Sequence, residues 1–175
     1  AKMGMRFDKC FVQSPVCGPS RASFYTGRTV FSHGATWNFV PLPIGEMTLG
    51  DYLAPKGVRT AVAGKTHFRA DTDGMARLGL TRDTDVGLRV SEGGFEPWER
   101  DDGEHPDPIV SPSLPYNAFL RSHGYEGDNP WNEYANAAEG PNGEILSGWH
   151  LRNSHLPARV KEEHSETAYI TNRAM

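Results

Sequence analysis

The chain reads as an α/β protein, and three segments carry that reading. Residues 5–13 place apolar side chains at Met5, Phe7 and Phe11, the period-2 pattern of a strand. They lead through Ser14-Pro15-Val16 into a short helix predicted over 19–26. Residues 48–56 then read as a second helix, followed by a buried strand at Thr60-Ala61-Val62-Ala63-Gly64. Strands alternating with helices are the signature of α/β architecture.

Each element has a local cause. Pro19 has a fixed φ and no N–H, so it suits the start of a helix. Gly27 suits the left-handed stop of the same helix. Thr48 is a natural N-cap, with Asp51 at the capping-box position and Leu49, Tyr52 and Leu53 on one face. Gly57 ends that helix. Residues 91–116 are crowded with Gly, Pro, Asp and Glu and read as loop. Residues 125–150 carry Trp131, Tyr134 and Trp149 without a clean period. Helical pattern returns over 157–175, where Ala168, Tyr169 and Ile170 follow several glutamates. The expected division is a core over 1–70, a loop-rich insertion over 71–156 and a helix over 157–175.

Composition narrows the class. A chain of 175 residues fits one ordinary domain. A net charge of −4 argues against nucleic acid as a partner. No apolar run approaches the roughly 20 residues of a membrane span, so no membrane partner is expected. No charged and apolar leader opens the chain. The compartment is left between cytoplasm and periplasm. Cys10 and Cys17 could bridge a short loop, but the motif around Cys17 argues for a free thiol.

That motif is Cys17-Gly18-Pro19-Ser20-Arg21, running on through Ala22-Ser23 to Thr26-Gly27-Arg28. It sets a cysteine at a helix N-terminus, where unpaired N–H groups and the helix dipole favour an anion. Arg21 lies four residues on, along the same face, where its fork can reach an oxyanion. A second signal is Gly64-Lys65-Thr66-His67, at the C-terminal end of the predicted strand. α/β sheets keep their chemistry at that end.

Together these residues resemble the type I sulfatases, whose signature is Cys-x-Pro-Ser-Arg, within the alkaline phosphatase superfamily. The resemblance covers nearly all of the first 70 residues and returns in Ser165–Ala174. It implies a mostly parallel sheet flanked by helices, of which this chain holds part. It implies that Cys17 is oxidised to formylglycine (3-oxoalanine), whose hydrate attacks sulfur, by a formylglycine-generating or anaerobic sulfatase-maturating enzyme. One hydroxyl of that hydrate attacks, and loss of a proton from the other expels sulfate without attack by water. By the same resemblance Arg21 and Lys65 cover developing charge, Lys65 also binds substrate oxygen, and His67 is the base. The implied cofactor is a divalent cation held partly by the modified Cys17. Calcium is expected first, with manganese or magnesium as alternatives.

The run His33-Gly34-Ala35-Thr36-Trp37-Asn38 is similar to the branch shared by bacterial arylsulfatases and phosphonate monoester hydrolases. There the resemblance makes Asn38 a contact to the transferred group. The Lys-x-His pair tips the expectation toward sulfate esters, small or glycan. Phosphonate monoesters and phosphodiesters are the alternative, and a noncatalytic fragment is the third reading. The other carboxylate metal ligands of the family find no match in this chain, so an internal fragment of a longer enzyme is expected. A homo-oligomer is left open. Asp101–Asp107 reads as a solvated acidic loop, and Asp71-Thr72-Asp73-Gly74 places its glycine too early for a calcium loop.

Overall fold

The computed structural model describes residues 4–65, 69–100 and 114–175. In chain order the elements are α1 (Cys17–Thr26), α2 (Val30–His33), α3 (Leu49–Leu53), β1 (Ala61–Gly64), α4 (Thr72–Arg77), α5 (Asp85–Ser91), β2 (Glu96–Arg100), α6 (Pro115–Ser122), β3 (Ala137–Glu139), β4 (Ile145–Ser147) and α7 (Glu166–Ala174). β1 and β2 are hydrogen-bonded neighbours. β3 and β4 pair antiparallel, with Ala137 opposite Ser147 and Glu139 opposite Ile145. The architecture is α/β.

The strand expected over residues 5–13 does not form. That stretch has no ladder partner among the described residues, and Met5, Phe7, Phe11 and Val12 are exposed. A strand is defined by its neighbour's hydrogen bonds, and side-chain alternation alone cannot supply them. Helix α1 begins two residues earlier than expected, at Cys17 itself. Pro19 becomes its third residue, a position where a missing N–H costs no intrahelical bond. Two elements arise inside the stretch read as loop, β2 and the start of α6. The spacing of Tyr116, Phe119 and Leu120 is helical, with Pro115 in the first turn, but the surrounding Gly and Pro obscured it.

Two compact units divide the chain. The first comprises residues 1–62 and 66–98. In it α1 packs on α2 and α3, Ala22, Ala35 and Leu42 form a small apolar cluster, and Ala70, Met75 and Phe95 are buried as well. Tyr25 adds a ring contact to Phe95 at 5.0 Å. Polar side chains start most of its helices. Thr29 accepts the Ser32 N–H, Thr84 accepts the Gly87 N–H at 3.1 Å, and Asp51 accepts the Thr48 N–H at 2.8 Å as the capping box requires. Asp71 caps α4 by accepting from Gly74 at 2.9 Å, and its other oxygen takes the Ile44 N–H at 3.0 Å. Those two backbone donors, Ile44 first, hold its carboxyl below the usual carboxylate range. The stretch Asp71–Gly74 is thus a helix start.

The second unit comprises residues 63–65 and 99–175. Its core is aromatic: Tyr116, Leu120, Tyr125, Trp131 and Tyr169, with Phe119, Tyr134 and Ile170 against it. Asn117 is fully buried and satisfied at both ends. Its Oδ1 accepts the Trp131 N–H at 2.6 Å and its Nδ2 donates to Asn129 at 3.0 Å. Glu99 is buried too, accepting from Tyr169 Oη at 2.9 Å and from Arg173 Nε at 3.1 Å. The predicted C-terminal helix starts late, at Glu166, because Ser165 serves as its cap and accepts the Ala168 N–H.

Candidate active site

The site is built on the first turn of α1. Val16, the residue before the helix, offers no side chain to cap it. The cap comes instead from far along the chain. Asn38 Oδ1 accepts the Gly18 N–H at 2.8 Å, which satisfies one of the four donors every helix leaves open. The same oxygen lies 3.4 Å from Cys17 Sγ and accepts its S–H. Asn38 therefore holds both the Cys17 side chain and the backbone beside it.

Gly18 makes that approach possible. A Cβ at position 18 would lie 2.9 Å from Asn38 Oδ1 and 3.0 Å from its Cα. Any side chain there would push Asn38 away from Cys17. At the far end of the helix Gly27 adopts φ 68° and its N–H closes on the Ser23 carbonyl, the left-handed stop expected of it.

Cys17 and Arg21 are both half-buried, and both line a cleft of about 830 Å³ beside α1 with Ser14, Ser20 and Ser23. One helical turn separates them, so a thiol and a guanidinium border one space. Cys10 also borders this cleft, and both cysteines are free thiols here.

Of the other expected residues, Lys65 immediately follows β1, at the strand end where the sequence placed it. His67 lies outside the described residues, as does the acidic run Asp101–Asp107. Arg69 is a cation the sequence reading missed: it borders a small cavity with Gly18 and Asn38. No spacing rule links positions 18, 38 and 69, so only the folded chain brings them together. The expected cation finds no ligand set among the described residues, where no three His, Cys, Asp or Glu side chains converge. A hard dication takes six or more oxygens, so the residues present do not by themselves fit one. No helix among the described residues is long and apolar enough to cross a membrane.

Known proteins are similar to this chain. Arylsulfatase G of Mus musculus is 42% identical over 73 residues, covering 39% of this chain and 14% of that protein. The ulvan-active sulfatase of Formosa agariphila is 28% identical over 139 residues, covering 77% of this chain and 23% of that protein. Among solved structures, the phosphonate monoester hydrolase of Silicibacter pomeroyi superposes with a TM-score of 0.62 at 21% identity, over 90% of this chain and 28% of that one. The chain therefore spans under a third of the length of each. That superposition agrees with the α/β fold expected from the sequence. The sulfatase family profile matches residues 1–169, and the chain belongs to the sulfatase family.

Proposed function

We propose that the protein carrying this chain hydrolyses sulfuric esters, with residue 17 as nucleophile after oxidation to formylglycine. The observation that carries the reading is the geometry of α1: Cys17 in its first turn, Arg21 one turn on, and a shared open cleft. The hydrate of an aldehyde at residue 17 supplies an oxygen that can attack sulfur and displace the alcohol; loss of the proton from its other hydroxyl then expels sulfate and leaves the aldehyde, which water rehydrates. The chain's own residues do the rest. The α1 N-terminus and Arg21 present fixed positive potential where the sulfuryl oxygens gather charge. Asn38 orients residue 17 through Oδ1. Lys65 adds a second cation, and His67 serves as the base; both roles rest on the Gly64-Lys65-Thr66-His67 match.

Maturation requires a modifying enzyme as partner, of the formylglycine-generating or anaerobic sulfatase-maturating kind. A divalent cation, calcium first, belongs to this reading as a property of the family. Its ligands are not assigned to these residues and no step here depends on it. Sulfated small molecules or glycans are the substrate class.

A second reading has its own support. Asn38 sits on the nucleophile, and the fold is like that of a phosphonate monoester hydrolase. The tetrahedral anions of phosphonate and sulfate esters resemble each other in shape and charge, so the same cleft suits both. Two measurements on the full-length protein from its native host separate the possibilities. Mass spectrometry of the peptide bearing residue 17 is expected to show a loss of about 18 Da, sulfur exchanged for an aldehyde oxygen. An unmodified Cys17 would overturn the nucleophile assignment. The ratio of kcat/KM for an aryl sulfate over an aryl phosphonate monoester is expected to exceed one, and a ratio below one would favour the second reading.

A further inference from the structure

One buried titratable group in the first unit has no part in the chemistry above. His33 closes α2, is only 2% exposed, and uses both ring nitrogens. The Ala35 backbone N–H points at Nδ1 from 3.1 Å. A backbone N–H can only donate, so Nδ1 must carry a lone pair. The ring's single proton is then on Nε2, which lies 2.9 Å from Ser23 Oγ and donates to it. Ser23 stands on α1, buried, two residues beyond Arg21, and borders the same cleft as Cys17 and Arg21.

We infer that His33 is a positioning residue: as the neutral Nε2–H tautomer it pins the nucleophile helix through Ser23, and protonation releases that helix. The release follows from the geometry. A proton added at Nδ1 would face the Ala35 N–H donor head-on, and the turn after α2 would have to open. Burial, above all, holds the ring's pKa below its ordinary value. Glu46 opposes that lowering and Arg28 reinforces it; these two pair with each other at 2.5 Å across the same region. α1, the helix packed on α2, carries Cys17, Arg21 and Tyr25 as its ionisable side chains. For the sign, the unfolded ring takes up a proton near pH 6.5 while the folded ring does not. The unfolded state therefore binds more protons below that pH, and the latch weakens as pH falls from about 6.5 through the lowered folded value.

The inference bears on the site proposed above but is read without relying on turnover. Hydrogen-exchange protection factors of the α1 amides in the full-length protein are measured between pH 7.5 and 5.5, alongside kcat and KM. Wild-type protection of α1 is expected to fall by roughly three- to tenfold across this range, the scale of one buried hydrogen bond. His33→Asn keeps an acceptor for Ala35 but cannot reach Ser23. It should show the lowered protection already at pH 7.5, with kcat reduced and KM little changed. His33→Gln can donate to Ser23 and cannot take up a proton, so it should restore protection at pH 7.5 and remove the acid step. If Gln does not fit at 33, Ser23→Ala deletes the same bond from the helix side and should lower α1 protection at pH 7.5. Flat wild-type protection, an acid step that persists in His33→Gln, or wild-type protection in both His33→Asn and Ser23→Ala would overturn the inference. Protection that responds as expected in a protein without sulfatase activity would leave it standing and refute only the function proposed above.

Discussion

The two compact units of this chain are held by different means. The second interlocks large rings: Tyr169 lies tilted at 5.0 Å from Tyr116 and 4.8 Å from Phe119, in one cluster with a fully buried Leu120. The first has a small apolar cluster of two alanines and a leucine, with Ala70, Met75 and Phe95 also buried, while Phe24 on α1 and Phe31 on α2 are 80% and 97% exposed. Apolar burial stabilises roughly in proportion to area, so the first unit draws little on it. Its order near Cys17 comes from polar bonds, Asn38 to Gly18 and His33 to Ser23. Directional bonds fix angles where apolar contact only fills space. The first turn of α1 thus gains precise placement at the expense of tolerance to substitution.

The contrast can be broken from either side. The largest effect is expected in the aromatic unit. Leu120→Ala empties a site with no exposed surface and should cost about 2–5 kcal/mol in denaturant unfolding. Leu42→Ala in the first unit should cost less, because its small cluster has fewer contacts to lose. Equal losses would contradict the contrast. Next comes Arg21→Ala in the matured full-length enzyme, which should lower kcat by about 10²–10³, the scale of one lost oxyanion partner. Unfolding by the same variant should barely shift, and a rate near wild type would make Arg21 structural only. The smallest effect is that of Asn38→Ala. It removes the distant cap of α1 and should cost about 0.5–2 kcal/mol of stability, read as a lowered unfolding midpoint. Because Asn38 also touches Cys17, kcat should fall in the same variant. A stability loss with kcat intact would reduce Asn38 to a helix cap.

Asn38 shows why part of the site was legible in the sequence and part was not. Its place in the run His33–Asn38 suggested a contact to the transferred group, and the structure puts its oxygen on Cys17 Sγ. The capping of Gly18 was not foreseen, since caps are sought within a few residues of a helix start and this one comes from 20 residues away. Arg69 was missed for the same reason. The strand expected over 5–13 failed because alternation gives a segment two faces but no neighbour. α6 was overlooked because composition outweighed a local helical spacing.

By itself, then, the sequence determined what is local: the α1 stop at Gly27, the Thr48–Asp51 box, β1 before Lys65, and the Cys17–Arg21 face. Those features depend on φ preferences, capping chemistry and helical period, all of which act within a turn or two of chain. Only the tertiary structure decided which distant polar atoms meet: Asn38 on the first turn of α1, the His33 ring on Ser23, Glu99 beneath Tyr169 and Arg173. Those contacts exist because packing brings separated segments within hydrogen-bond reach, and no local spacing encodes the distance between them.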